Sequence, residues 1–157
     1  MPKFQMEGAL APDYQSLPEF VQGYIEAMFF TECETGSYQH AKGSERQWNP
    51  ETDSALPGDV GFGELASETV VKAQKDCADF QEKARAYLER AYETGMRGDT
   101  YDAMQAGRDF WFTRNSHGVG FWDRGLAGFL GDVLTDMAHA AGSRDAYMGD
   151  DGKVYIQ

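Results

Sequence analysis

Asp109, Arg114, Asn115, Ser116, His117, Asp123 and Arg124 crowd one short stretch, R-D-F-W-F-T-R-N-S-H-G-V-G-F-W-D-R. They are the densest set of reactive side-chain types in the chain. A histidine beside a hydroxyl, with carboxylates and guanidinium groups nearby, is the raw material of acid–base or nucleophilic chemistry. The spacing argues against it. Ser116 and His117 are adjacent, and neighbouring residues on a strand or turn point apart. Asp123 has a competing role as a helix cap, and Arg114 can pair with Asp109 or Asp123. A site built from His117, Asp123 and Arg114 therefore stands as the alternative reading, and no catalytic set is assigned.

Other chemistries are sparser. Cys33 and Cys77 are the only cysteines, and Cys77 falls on an apolar stripe, where a thiol serves as a small core residue. With no export signal, both are expected to be reduced. CxxC, HExxH and paired Cys/His spacings are absent, so no metal is expected, and no cofactor motif is present. His40 and His139 have no partner in the sequence. Asp59-Val60-Gly61-Phe62-Gly63 lacks the strand and helix that a phosphate loop requires.

The elements that would position these residues follow from periodicity. The aromatic runs Phe110-Trp111-Phe112 and Phe121-Trp122 flank the polar break Asn115–Gly118, which predicts a β-hairpin with Trp111, Trp122, Asn115 and His117 on or beside it. Its aromatics are expected to be covered, Trp122 included. After it, Leu126, Phe129, Leu130, Val133, Leu134, Met137, Ala138 and Ala141 recur at three- and four-residue steps. That pattern predicts a helix over 124–141, capped by Asp123 and ended by Gly142.

Earlier in the chain, Ser16-Leu17-Pro18-Glu19 reads as a helix start, with Ser16 as cap and Phe20, Val21, Tyr24, Ile25, Ala27 and Met28 facing inward. Ser67 opens a long helix to about residue 94, about 40 Å at 1.5 Å per residue, with an ion-paired outer face that includes Lys75, Asp76 and Asp79. Asp99 caps a short helix over 100–106 that Gly107 stops. Ala146–Met148 and Val154–Ile156 around Gly149-Asp150-Asp151-Gly152 predict a second hairpin. The expected fold is a single α+β domain over 1–157, ordered α-α-α-β-β-α-β-β, with helices packed on a small sheet of two hairpins. Residues 1–15 form an arm and 35–63 a long irregular loop anchored by Trp48.

Composition limits the partners. The formal net charge is −12, and residues 1–66 hold 11 of the 26 acidic groups against 3 of the 14 basic ones. Such a balance opposes duplex nucleic acid and anionic membranes and favours a partner with a basic surface. Glu26, Glu32 and Glu34 are the residues expected to meet it. No apolar run is long enough to span a bilayer and no export signal is present, which leads to the expectation of a cytoplasmic protein.

The pattern DFW-x-TRN-x-HG-x-GFWDR, with Gly131-Asp132, Leu134-Thr135 and the closing Gly149–Tyr155 segment, resembles a group of small phage and mobile-element proteins. The resemblance covers roughly 110–155 and carries no assigned activity. It implies a phage, prophage or plasmid origin and an accessory role. Together with the charge, it leads to the expectation of a non-enzymatic protein that binds a host or phage protein, such as an inhibitor of a host defence or DNA-metabolism protein. The alternative is a small enzyme or ligand-binding domain at the aromatic hairpin.

Overall fold

The computed structural model describes residues 4, 10–33 and 55–157. Glu34, His40, Trp48 and most of the expected arm and loop lie outside the described residues. The fold is α+β: six helices among the described residues and one two-stranded antiparallel sheet. The helices are α1 Pro12–Gln15, α2 Glu19–Glu32, α3 Ser67–Lys83, α4 Arg85–Thr94, α5 Ala103–Arg114 and α6 Leu130–Ala140. The strands are β1 Ala146–Met148 and β2 Val154–Ile156.

The central feature is a pair of helices, where the sequence predicted a sheet. Helix α5 runs through Asp109–Arg114, the stretch expected to be the first strand of the hairpin. Asp102 starts it by accepting the Gln105 amide at 2.8 Å; Asp99 instead bonds the Thr100 amide within the preceding turn. From Asp109 to Arg114 every residue is buried. A helix enclosed on all sides has no apolar stripe, so the aromatic run shows no helical period. Its main partner is α2, and the two backbones meet closely. A methyl group on Gly107 would run into the Phe20 carbonyl oxygen, and one on Gly23 into that of Met104. Gly107 thus permits the crossing rather than ending the helix.

The polar break is a helix stop. The Ser116 amide donates to the Thr113 carbonyl and the His117 amide to the Phe112 carbonyl, at 3.1 and 2.9 Å. Those two bonds close the last turn of α5 as a Schellman-type cap, with Ser116 at φ 57° in the place glycine usually takes. Beyond it, Phe121–Asp123 forms a single 3-10 turn rather than a return strand.

Other helix boundaries move as well. Pro18 occupies the N-cap of α2, while the Ser16 hydroxyl donates to the Asp13 carbonyl. The long helix breaks at fully buried Ala84 into α3 and α4. Helix α6 starts at Leu130, later than expected, and Asp123 caps the 3-10 turn instead by accepting the Gly120 amide at 3.0 Å. Gly142, at φ 80°, ends α6 as predicted. The C-terminal hairpin also forms where predicted, with Tyr147 paired to Tyr155. It docks on the start of α3: the Val154 carbonyl accepts both the Ala66 amide and the Thr69 hydroxyl.

One contiguous apolar core joins these parts. At its centre Phe110 stacks on Phe80 with centroids 4.1 Å apart, and Phe80 stacks in turn on Phe121. Tyr24 meets Trp111 edge-on at 5.1 Å. Trp111 is fully buried, and its indole N–H donates to Thr31 at 2.9 Å. Trp122 is 52% exposed, against the expectation that it is core.

Candidate functional site

Two ionic centres take up Asp109, Arg114 and Arg124 of the central motif. In the first, Arg114 at the end of α5 reaches across to α3 and the end of α6. Its Nε donates to the Gly142 carbonyl at 2.7 Å and Nη2 to that of Ala141 at 3.1 Å. Its Nη1 serves the Tyr24 hydroxyl at 3.0 Å and the Asp76 carboxylate at 2.9 Å. The guanidinium therefore caps the carbonyl end of α6, where a positive charge is favoured. It also lies over the Phe110 ring at 4.8 Å.

Asp76 receives a second guanidinium. Arg144 binds it in bidentate fashion, Nε to Oδ2 at 2.7 Å and Nη2 to Oδ1 at 2.9 Å. Asn115 steadies this arm by accepting the Arg144 amide at 2.8 Å. Burial pushes the Asp76 carboxyl up, but the bonds and charges of Arg144 and Arg114 outweigh it and hold the group below its ordinary value.

The second centre joins α5 to the 3-10 turn. Asp109, with no exposed side-chain surface, accepts Arg124 Nε and Nη2 at 3.0 and 2.8 Å. Tyr101 and Gln105 donate to the same carboxylate at 2.8 and 3.2 Å. Here burial is the larger influence and pushes the carboxyl above its ordinary value despite Arg124.

The expected trio of His117, Asp123 and Arg114 does not converge. Arg114 points to Asp76, Asp123 holds the Gly120 amide, and His117 faces Glu32. The His117 Nε2 to Glu32 Oε1 separation is 3.7 Å, within ion-pair range but too long for a hydrogen bond. That nitrogen is buried without a hydrogen-bond partner among the described residues, and burial raises the Glu32 carboxyl above its ordinary value. Glu26 is engaged as well, by Arg108 at 3.1 Å. Asn115 and Trp111 serve the internal bonds already described. Cys33 and Cys77 are buried, unpaired thiols whose burial pushes them above the ordinary thiol value. No cluster of three or more potential metal ligands occurs among the described residues.

The surface shows what the motif's second half does not bury. Phe129, predicted on the inner stripe, is 81% exposed. With half-exposed Tyr87 it borders a groove of about 290 Å³ between α4 and the start of α6, where Leu130 and Val133 lie. Sequence reasoning missed this groove because periodicity carried the helix back through Phe129. It also missed Asp76, assigned to a solvated face. Asp76 precedes Phe80 by four residues and so shares the edge of its buried stripe, the one signal that could have placed it.

No protein-family model matches this chain, and no curated protein or solved structure matches it. Among the described residues, no helix is long and apolar enough to cross a membrane.

Proposed function

We propose that this is a non-enzymatic accessory protein of phage or mobile-element type that acts by binding a host or phage protein. The observation that carries the reading is the exposed aromatic groove between α4 and α6. Phe129 is 81% exposed beside Tyr87 and Val133, and an apolar patch of this kind gains free energy when a partner covers it. Tyr87 and Val133 give the groove an apolar lining, and Arg90 is its one charged lining residue. The matching partner surface is an apolar anchor that fills the groove, with an acceptor for Arg90, and the net charge of −12 favours basic groups on the partner outside that contact. The divergence of Arg114, His117 and Asp123 adds support, because a catalytic site needs reactive groups aimed at one point.

Affinity capture from infected or plasmid-bearing cells, with wild type and Phe129→Asp side by side, tests the reading. The expected result is a protein held by wild type and lost from the variant while the melting temperature of the variant is unchanged. The complex should also weaken as salt rises, since exposed charges are screened beyond about 10 Å at 0.1 M. Capture that is indifferent to Phe129→Asp would overturn the proposal.

A further inference from the structure

A pocket of about 320 Å³ opens between α3, the end of α5 and the end of α6. Lys75, Lys83, Arg114 and Arg144 line it, against only Asp76 and Asp79. Four cations facing two anions give a local formal surplus of +2 in a chain whose net charge is −12. The surplus follows from the bonding. One carboxylate, Asp76, serves both Arg114 and Arg144, so one positive charge remains there. Lys75 is matched by Asp79 at 2.6 Å, while Lys83 has no ion-pair or hydrogen-bond partner among the described residues. Arg144 spends two of its five N–H donors on Asp76 and one further protein bond comes only from its backbone. Phe80, Phe110 and Met137 add apolar lining beneath these charges.

We infer that this pocket binds a compact organic anion, a phosphate monoester or carboxylate carrying a small apolar body. Arg144 and Lys83 hold the anionic group through charge-assisted bonds, and the apolar body rests against Met137, Ala140 and Ala141, with the buried Phe80 and Phe110 rings beneath. Its size matches the lower end of small-molecule sites. Arg114, tied to two main-chain carbonyls, Tyr24 and Asp76, offsets the carbonyl end of α6 and part of the Asp76 charge, which leaves Arg144 freer to meet a ligand. The site is separate from the α4–α6 groove and independent of the partner-binding proposal.

Titration calorimetry with phenyl phosphate, benzoate and phenol tests the inference. Either anion should bind in the submillimolar to millimolar range, and phenol, of the same shape without the charge, should bind at least about tenfold more weakly. The two anions tell a phosphate site from a carboxylate site. Lys83→Glu, at an exposed residue with no ion-pair or hydrogen-bond partner among the described residues, should weaken the preferred anion by about tenfold or more, with only a small drop in the melting temperature of the unliganded protein because Lys83 closes the carbonyl end of α3. Arg144→Gln should weaken it at least as much. Absence of heat with both anions, phenol binding equal to theirs, or affinity unchanged in Lys83→Glu and Arg144→Gln would each overturn the inference.

Discussion

The two ionic centres use the same parts and arrive at opposite electrostatic states. Asp109 meets one guanidinium and two neutral donors, is wholly enclosed, and has its carboxyl raised. Asp76 meets two guanidiniums, retains 11% side-chain exposure, and has its carboxyl lowered. The first centre is balanced and closed; it stitches the 3-10 turn to α5. The second carries surplus positive charge beside a pocket. A buried ion pair is weak evidence of stability in itself, because desolvation offsets the attraction. What separates structural from ligand-facing roles here is the count of charges and the access to solvent.

The largest effect should come from opening the closed centre. Asp109→Ala strands Arg124, Tyr101 and Gln105 at once and should cost about 3–5 kcal/mol in denaturant melts. A cost below about 1 kcal/mol would show that the centre is not the closed stitch described.

Asp76→Asn should cost less, about 2–3 kcal/mol, because Arg114 keeps Tyr24 and two main-chain carbonyls and Arg144 is partly solvated. Its pH dependence sharpens the contrast. A carboxyl lowered on folding stabilises the fold above its unfolded value, and that contribution is lost as pH falls below about 3.8 through the folded value. Asp109 has the opposite sign: its raised value makes stability decline as pH climbs from about 3.8 through the folded value. The acid limb of the stability curve should therefore flatten in Asp76→Asn. An acid limb identical to wild type would remove Asp76 as its source.

The smallest effects lie in the phenols. Tyr101→Phe removes one of the few donors to an enclosed carboxylate and should cost about 1.5–2 kcal/mol. Tyr24→Phe removes only one acceptor among several for Arg114 and should cost about 1 kcal/mol or less. A reversed order would mean that the Asp76 centre is the more tightly closed one.

Much of the frame is legible in the sequence alone. The α2 stripe, the Gly142 stop and the C-terminal hairpin follow from local rules of period and turn chemistry, and all three stand in the structure. The aromatic stretch did not yield to the same rules. Phe110-Trp111-Phe112 favours strand by residue type, and Asn115–Gly118 suits a turn. Those signals fit a helix stop equally well, and Ser116 at φ 57° is that stop. The error carried forward to Trp122, read as core because its strand would have been covered, and to Asp123, read as the cap of a helix that begins seven residues later.

The sequence by itself determined the α2 stripe, the Gly142 stop, the C-terminal hairpin, the net charge of −12, and the residues with reactive side chains. Only the tertiary structure decided which charges meet. Arg114 pairs with Asp76, 38 residues away, and Arg144 joins them from 68 residues away. Local propensity cannot specify such contacts, because they are fixed by how α3, α5 and α6 pack around the Phe80–Phe110 stack. The close crossing of α2 and α5 at Gly23 and Gly107 also enclosed the aromatic run on all sides. That burial removed the polar face by which the sequence would have announced a helix.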